Sequence, residues 1–559
     1  MIRLLTIPVI LAGLAAGAVY WSNDAGGRER ADFSFVNRGD NKCLDPNGMS
    51  WMQDIRIAYG LWEGLYTLDP VTLKPVLGTA DSASVDSTGT VWTFHMRPEA
   101  RWSNGDPVKA ADFLFAWRRF LETPGEYTYL HFYIRGAREY STEFAAYLAA
   151  RGKGAAPVPD FSQVGEKSPD DQTLIVTLTD PVPFFPALMA FPPFFPMHET
   201  SMHDFLEKDG LHYNLDFTRP PHLVTDGPYR LAEWSFKRRL RMIASQFYWN
   251  RAGVKSQIVD QIYADDGLAA FRAYDRGDVD WIADLDPDIA AEMLVRGGRD
   301  DLHIFPAFGT YYYSLNCLPA LADGRKNPMA DVRVRQALAM AIDRGPIVRN
   351  VGRIGQPPSF TFIPPHVFEG YSSPRGLAYD PDRARKLLAE AGYPDGRGFP
   401  SLTILYNTEG IHADIAQIIR RQWLDNLNIQ MDLQGVEVKV FGQMLHTQQF
   451  DVARSSWYGD YADPTTFTDK YKSDSDDNDS KWSNPEYDRL CAEAQKEMDK
   501  NRRLILLSRA ENILLNEAPV IPLYTPVNAY LFRPEVTGIP LAANAMLEFN
   551  SVQVARLHG

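Results

Sequence analysis

Cysteine is scarce in this sequence, which has three cysteines among 559 residues. Cys43, Cys317 and Cys491 lie far apart and match no metal-binding spacing. One disulfide and one free thiol are compatible with three cysteines, but sequence positions do not reveal the pairing. We therefore expect no cysteine-based metal centre.

Signatures of catalysis are also missing. The chain contains no Gly-x-Ser-x-Gly nucleophile elbow and no glycine-rich phosphate loop. His198 and His203 look like a zinc-binding pair, but they are five residues apart instead of four, which puts them on different faces of a helix. We expect no catalytic residues, no metal and no cofactor. A hydrolase is the alternative, and peptide turnover would reveal it.

Basic patches are missing too. The net charge is −14, and no cluster of basic residues interrupts the acidic balance. A phosphate backbone would be repelled, so nucleic acid is not an expected partner. Asp474, Asp476, Asn478 and Asp479 resemble the start of a calcium-binding loop, but the sixth position is aspartate instead of glycine and the twelfth is Pro485 instead of glutamate. This run predicts a solvated acidic loop.

Length and aromatic content are the positive signals of composition. A chain of 559 residues is too long for one hydrophobic core, so two or three domains are expected. Apolar residues make up 45% and charged residues 23%, as in ordinary folded soluble proteins. The 12 Trp, 26 Tyr and 30 Phe suit either an internal ligand cavity or large domain interfaces.

The N-terminus predicts export. Arg3 precedes an apolar run, Leu4–Trp21, and Ala16-Gly17-Ala18 forms a small-x-small cleavage site. The run is also about long enough to cross a bilayer, so residues 1–22 are interpreted as either a signal peptide or an uncleaved membrane anchor. No cysteine ends the run, so lipoprotein attachment is not expected.

Alternating strand and helix patterns predict an α/β fold. Val91–Arg97 alternates with the period of a strand, and Lys109–Leu121 is amphipathic with the period of a helix. Pro181–Pro196 is too rich in proline for regular structure, and we interpret it as a domain crossing or a hydrophobic wall. Tyr487–Asn516 predicts one long helical segment. A β-α-β unit with parallel strands is predicted from three consecutive segments, Leu402–Tyr406, Ala413–Asn426 and Ile429–Leu433.

The stretch Phe450–Pro464 concentrates unusual side chains. It begins as a strand and ends as a turn that contains Gly459. Inside a protein, the charges of Arg454 and Asp460 would lose hydration worth several kcal/mol each unless counter-charges were supplied. The residues alone favour an internal Arg454–Asp460 pair with aromatic residues around it. The alternative is a zwitterionic ligand with its ammonium on Asp460 and its carboxylate near Arg454.

Seven stretches together carry a family resemblance. In chain order they are Leu61–Leu65, Trp92–Arg97, Ala100–Val108, Thr310–Tyr313, Asp331–Leu338, Leu387–Tyr393 and Phe450–Pro464. Each is weak alone, but seven in the same order are specific, and they extend over nearly the whole chain after the export segment. The sequence resembles the periplasmic oligopeptide-binding proteins of peptide ABC importers, which are family 5 extracellular solute-binding proteins.

The resemblance implies a two-lobed periplasmic-binding-protein-like fold with an additional inserted domain. Lobe I would comprise residues 30–75, 185–308 and 527–559, the inserted domain residues 76–184, and lobe II residues 309–526. A ligand would be enclosed between the lobes by hinge closure. The implied protein is a monomeric, periplasmic receptor that binds short peptides and delivers them to an inner-membrane ABC permease.

The resemblance also implies a set of ligand-binding residues. Asp460 would bind the peptide ammonium, Trp457 would line a side-chain pocket, and Arg454 and His412 would be cations that meet the peptide carboxylate. His412 alone is also compatible with a surface histidine at a helix N-terminus. The remaining members of the expected site are Ser456, Tyr458, Tyr311 and Tyr313. The tyrosines of Tyr311–Tyr313 are expected to divide between core and cleft, since side chains alternate along a strand.

Two positions depart from the family pattern. Leu445 stands where relatives carry a second arginine, and Val438 stands where they carry a pocket-wall tryptophan. These changes put the preferred peptide length in doubt, although backbone pairing to an extended peptide needs neither side chain. Two alternatives stay open. One is a relative tuned to cell-wall peptides or to a nickel or haem complex, and the other is an anchored sensor or chaperone without transport.

Overall fold

The computed structural model describes residues 29–37, 39–150, 157–543 and 546–555. The expected signal peptide or membrane anchor at residues 1–22 lies outside these ranges. Within them, no helix combines the length and apolar character needed to cross a membrane. Cys43, Cys317 and Cys491 are all described, and none of them forms a disulfide.

A seven-stranded sheet collects strands from distant parts of the chain. Its order is Leu302–Pro306, Val527–Phe532, Trp281–Ile282, Phe33–Val36, Ile258–Ile262, Arg239–Ala244 and Tyr229–Ser235. The Phe33–Val36 strand pairs in parallel on both sides and is buried along its length, as its apolar sequence requires. The ring of Phe35 stacks on that of Trp281 at 5.3 Å between centroids, which ties the first and third quarters of the chain together.

Residues 80–177 contain a four-stranded antiparallel sheet. Its strands, in order, are Ala80–Val85, Val91–Met96, Thr173–Thr177 and Glu166–Lys167. The alternation predicted near Val91 is confirmed, because Phe94 and Met96 are buried while His95 between them is exposed. Between the strands Val91–Met96 and Glu166–Lys167 the chain forms two helices, Ala110–Glu122 and Ala137–Ala150, and the 3₁₀-helix Thr128–Tyr133.

A five-stranded sheet organises the second half of the chain. Its order is Met431–Val436, Leu402–Asn407, Val452–Tyr458, Gly309–Leu315 and Val520–Tyr524. The predicted β-α-β unit is confirmed, since the first two strands are parallel and the helix His412–Leu427 connects them. The apolar face of this helix, formed by Ile415, Ile419 and Trp423, is buried against the sheet.

The Gly309–Leu315 strand of this sheet differs from expectation. Tyr311, Tyr312 and Tyr313 are all buried, with exposures of 3%, 0% and 0%. Tyr311 and Tyr313 pack in one hydrophobic cluster and Tyr312 in another. They therefore alternate between two cores instead of between core and cleft, because both faces of the strand are covered.

Two further predictions need correction. The segment expected as one helix, Tyr487–Asn516, forms two helices, Pro485–Lys496 and Lys500–Glu517. Asp499 lies between them and caps the second, its side chain accepting a hydrogen bond from the backbone of Arg502. The proline-rich stretch contains a short helix, Phe185–Leu188, because the proline at its start needs no intrahelical donor.

The remaining helices and hairpins complete the described fold. The helices of nine or more residues not yet given are Met52–Leu61, Gly267–Arg276, Pro287–Arg296, Val332–Met340, Pro381–Glu390 and Val438–His446. Short helices occur at Glu199–Met202, Arg344–Ile347 and Thr465–Thr468. Two strand pairs complete the set, Tyr66–Leu68 with Pro75–Leu77 and Val536–Thr537 with Gln553–Val554.

Candidate functional site

One edge of the Val452–Tyr458 strand is open inside the molecule. The strand pairs with Gly309–Leu315 from end to end on one side. On its other side the parallel neighbour, Leu402–Asn407, reaches only Val452 and Ala453. In the described part of the chain, no strand pairs with that second edge beyond Ala453. An open edge of this kind can accept an extended segment as an additional strand.

Arg454 lies where this open edge begins. Its guanidinium donates to the amide oxygen of Asn407, with the Nε–Oδ1 distance at 2.7 Å, and lies 4.8 Å from the ring centroid of Phe441. No carboxylate of the described residues forms an ion pair with it, so the internal Arg454–Asp460 pair favoured by the sequence is not formed. A half-buried guanidinium paired with a neutral amide retains donors for an anion.

His412 lies close to Arg454, at the start of its helix. Its Nδ1 is 2.9 Å from the Tyr311 hydroxyl, and the two rings stack at 5.6 Å. Burial, reinforced by the charge of Arg454, lowers the pKa of His412 to about 4. At neutral pH the uncharged imidazole is therefore favoured in this structure, whereas the resemblance implies a cation that meets a peptide carboxylate.

Tyr313 and Ser456 lie on the same face of the sheet as Arg454. In the strand register Tyr313 is opposite Arg454 and Tyr311 is opposite Ser456. The hydroxyl of Tyr313 is buried and has no hydrogen-bond partner among the residues that the structure describes. Buried hydroxyls are usually bonded, so this oxygen is an exception within the core beneath Arg454.

Trp457 faces the opposite side of the sheet. Its indole Nε1 donates to the carbonyl oxygen of Thr466 at 2.7 Å, and the Lys470 ammonium lies 4.5 Å from its ring centroid. Lys470 also donates to the carbonyl oxygen of Asp477 at 2.5 Å and lies 3.4 Å from an Asp479 carboxylate oxygen. The ammonium therefore holds the indole between the strand and the acidic loop.

The acidic loop is only partly solvated. Asp474 and Asp476 are exposed as expected, but Asn478 and Asp479 are buried. Lys470 supplies the positive charge beside Asp479, and sequence reasoning missed it. Across the described residues, no cluster of three or more His, Cys, Asp or Glu side chains is arranged to hold a metal ion.

Asp460 follows the strand in a turn fixed by backbone contacts. The Gly459 amide donates to the Phe308 carbonyl at 2.8 Å, and a Cβ on Gly459 would lie 2.3 Å from the Phe308 ring. The Asp460 amide donates to Thr466 Oγ1 at 2.9 Å. Tyr129, from the 3₁₀-helix Thr128–Tyr133, donates its hydroxyl to the Asp460 carboxylate at 2.7 Å.

The electrostatics of Asp460 favour a cationic partner. Burial raises the pKa of its carboxyl to about 7, and the charges of Asp477 and Glu126 add to the increase. No basic side chain forms an ion pair with Asp460 within the described ranges. A positive group placed beside Asp460 would remove this penalty and favour the ionised carboxylate.

Aromatic contacts close the molecule around Asp460. The hydroxyl of Tyr133 donates to the Asp469 carboxylate at 3.0 Å, and the Phe184 and Tyr461 rings stack at 4.8 Å. These contacts join the part of the chain with the four-stranded sheet to the part with the five-stranded sheet. Sequence reasoning missed Tyr129 and Tyr133, although the run of aromatic residues there was a visible signal.

Comparison with protein families gives one match that covers most of the chain. The model described as "Bacterial extracellular solute-binding proteins, family 5 Middle" matches residues 74–479. This range includes the open strand edge, Asp460, and the Tyr129 helix.

Curated relatives match over nearly their full length. The periplasmic oligopeptide-binding protein OppA of Escherichia coli K12 is 32% identical over 549 residues, covering 96% of this chain and 95% of that protein. The periplasmic murein peptide-binding protein MppA of the same organism is 30% identical, covering 89% of this chain and 88% of that protein.

Solved structures show a similar architecture. The murein tripeptide-binding protein MppA in its unliganded open form has a TM-score of 0.75 at 29% identity, covering 94% of this chain and 98% of that chain. OppA of Haemophilus influenzae in complex with the peptide RPPGFSPFR has a TM-score of 0.73 at 26% identity, covering 95% of this chain and all of that chain, 100%.

Proposed function

The chain belongs to the bacterial extracellular solute-binding proteins of family 5, and on that basis we propose that it is a receptor for short oligopeptides. It captures them between two lobes in the extracytoplasmic space and delivers them to an ABC permease. The observation that carries the proposal is the open edge of the Val452–Tyr458 strand, which runs from Arg454 towards Asp460. The two ends of that edge carry opposite charges without internal partners of opposite sign in the described chain.

The peptide backbone pairs with this open edge. Its ammonium binds Asp460, which removes the desolvation cost of this half-buried carboxylate, and its carboxylate meets Arg454. Residues 454 and 460 are six positions apart, and their separation is below the roughly 20 Å of a fully extended chain because Asp460 follows the strand in a turn. Peptides of about four to six residues match that span.

The other expected site residues take supporting roles in this proposal. Trp457, held by Lys470, forms the wall of a side-chain pocket, and Ser456 and Tyr458 contribute backbone along the edge. Tyr311 keeps the neutral His412 in position. Tyr313, which lies opposite Arg454 in the strand register, supports the strand from the core without contacting the peptide.

The proposed architecture supports closure. Residues 30–75, 185–308 and 527–559 form lobe I, residues 76–184 the inserted domain and residues 309–526 lobe II, with the connecting segments as the hinge. The seven-, four- and five-stranded sheets fall within these three parts in that order. Export by residues 1–22 and action as a monomeric binding protein without catalysis complete the proposal.

The test first identifies the ligand and then measures whether its free amino terminus contributes to binding. Small molecules released by denaturing the gently purified protein are analysed by mass spectrometry, and we expect a mixture of peptides with free amino termini. Calorimetry then compares a tetrapeptide with its N-acetylated form. We expect acetylation and Asp460→Asn each to weaken binding by about 10²-fold or more, because each removes one charge of a desolvated pair. Binding that is equally tight after both changes would contradict the proposal.

A cell-wall-derived peptide is the second candidate ligand. Leu445 is buried in a cluster with Phe441 and Phe450 next to the strand. Because this position holds leucine and not arginine, it supplies no second cation to accompany Arg454. A site with a single cation suits a ligand whose carboxylate is less exposed. Competition between a murein tripeptide and a tetrapeptide of ordinary residues distinguishes the two, since the preferred ligand displaces the other.

A further inference from the structure

A second cavity lies between the lobes beyond Asp460. Its volume is about 580 Å³. One wall is formed by the turn at 72–75 and by the segment that contains Phe184, and the other by the turn at 462–464 and the start of the Lys500–Glu517 helix. None of residues 454–458 lines it. A smaller pocket lined by Asp460 shares several residues with it, Leu73, Pro75, Ala187, Phe308 and Ala462, so the two are neighbours.

The interior of this cavity is apolar. Leu73, Phe184, Phe308, Phe368 and Leu504 line it, and all five side chains are otherwise buried in the protein. A volume of this size with an apolar lining matches the pockets that hold small organic molecules. The body of an occupant is therefore hydrophobic.

The buried ion pair in the cavity wall, Arg503 with Asp463, is satisfied internally. Arg503 donates to both carboxylate oxygens of Asp463 at 2.7 and 2.6 Å, and both side chains are buried. Such a bidentate pair leaves little charge for a ligand. The charge of an occupant must therefore be matched at the rim.

The rim carries an excess of positive charge. Lys74 from one lobe lies 3.1 Å from a Glu369 carboxylate oxygen, and Lys500 lies 3.8 Å from the same oxygen. Two ammonium groups share one carboxylate, which leaves one net positive charge at the mouth. This is notable on a chain whose net charge is −14. An anion is attracted there, whereas a cation meets two lysines.

We propose that this interlobe cavity binds a small amphipathic anion, a monocarboxylate with an apolar body. The carboxylate lies at the mouth beside Lys74 and Lys500, where Glu369 balances only one of the two ammonium charges, and the apolar body lies against Leu73, Phe184 and Phe368. Since the two walls belong to different lobes, the anion also stabilises the closed arrangement and raises the affinity for peptide, and peptide raises the affinity for the anion by the same factor. This coupling rests on the proposed peptide function, whereas the anion site does not.

The test uses three ten-carbon probes on the full chain. Calorimetry measures decanoate, decanol and decyltrimethylammonium, which share an apolar chain and differ in head-group charge. We expect decanoate to bind at one site per chain, at least tenfold more tightly than the cation. Lys74→Met with Lys500→Met should weaken decanoate binding by about three- to tenfold and leave decanol unchanged, because exposed charges contribute modestly. Lys386→Met, at an exposed lysine on another helix, is the matched control.

A cavity-filling variant locates the site. Ala542→Trp places an indole into the cavity and should abolish decanoate binding. Asp460→Asn should retain decanoate binding while losing peptide, so the anion site and the peptide site can fail separately. Three results would overturn the proposal. They are decanoate binding that survives Ala542→Trp, displacement of decanoate by saturating peptide, and equal affinity for the cationic probe.

Discussion

At the scale of single residues, function depends on where charges are left without partners of opposite sign. Arg454 pairs with the neutral Asn407, and Asp460 accepts a hydrogen bond from Tyr129. Both arrangements keep a charge hydrogen-bonded without neutralising it. A ligand that supplies an ammonium and a carboxylate gains interaction energy from both ends, because a desolvated charge is costly until it is paired.

Peptide affinity should depend on pH through Asp460. Burial raises the pKa of its carboxyl to about 7 in the absence of a cation. A bound ammonium favours the ionised form, so binding below pH 7 must release a proton. Affinity is therefore greatest between pH 7 and about 8, where Asp460 is ionised and the peptide amine is still largely protonated, and it should fall by up to about tenfold per pH unit as the pH drops below 7. Calorimetry of a tetrapeptide from pH 5 to pH 8 measures this. Asp460→Asn should bind weakly and without this slope, and an unchanged slope in that variant would refute the assignment.

Glu166 should limit stability at alkaline pH. The side chain is 5% exposed, and neither carboxylate oxygen has a hydrogen-bond partner in the described structure. Burial raises the pKa of Glu166 from 4.5 to about 8. The protonated form is favoured in the folded state, so this contribution to stability is complete below pH 4.5 and is lost as the pH rises through 8.

Glu166→Gln removes that loss, since the carboxamide stays neutral. We expect the free energy of unfolding of the variant, relative to the original chain, to rise between pH 6 and pH 9 by about 1–3 kcal/mol. Urea denaturation at several pH values measures it. Glu143→Gln, at an exposed position of a helix, is the control and should show no such trend. A difference that does not vary with pH would show that Glu166 is not the titrating group.

At the scale of elements, one short 3₁₀-helix contacts two acidic residues in the part of the chain that forms the five-stranded sheet. Thr128–Tyr133 carries Tyr129, which donates to Asp460, and Tyr133, which donates to Asp469. Tyr129 acts at the proposed ammonium site. Tyr133 acts one turn further along, at a carboxylate that the peptide does not need, and so holds the lobes together independently of the ligand.

Tyr133→Phe should weaken closure without disturbing the peptide site. The ring keeps its edge-on contact with Phe184, whose centroid lies 5.4 Å away, but the bond to the half-buried Asp469 is lost. We expect peptide affinity to fall by about three- to thirtyfold, with most of the change in the dissociation rate. Stopped-flow measurements of binding and release test this. Tyr379→Phe, at an exposed tyrosine, is the control, and an unchanged dissociation rate for Tyr133→Phe would show that the contact is not part of closure.

At the scale of the whole molecule, the two lobes meet through contacts of unequal strength. The stacked rings of Phe184 and Tyr461 are buried, whereas the Lys74–Glu369 ion pair is largely exposed. Exposed pairs add little to stability, so aromatic and tyrosine–carboxylate contacts provide most of the closing energy. The same closure would form both the proposed peptide site and the proposed anion site.

Peptide binding should therefore make the molecule more compact. We expect the radius of gyration from small-angle X-ray scattering to decrease when a tetrapeptide saturates the protein, because the hinge closes. Asp460→Asn at the same peptide concentration should stay in the ligand-free distribution. If scattering is identical with and without bound peptide, hinge closure is not how this chain encloses its ligand.

The amino-acid sequence by itself determined the local elements and the order of the family motifs. The alternation around Phe94, the β-α-β unit at 402–436 and the strand before Asp460 follow from periodicity and turn chemistry within short windows. Asp460 and Arg454 also stood out, since their charges sit in a stretch otherwise fit for burial. The partners of these two residues did not follow from the sequence, and the ion pair favoured from the residues alone is not formed.

Only the tertiary structure decided the partners. Tyr129 and Asp460 are 331 positions apart, and Tyr133 and Asp469 are 336 apart. Three other features also depend on contacts between segments that are far apart in the sequence. They are the position of Lys470 beside Trp457, the neutral state of His412, and the cavity between Phe184 and Leu504. Local propensity acts over a few residues, whereas burial, pKa and cavity shape are set by whichever distant side chains the packed core brings together.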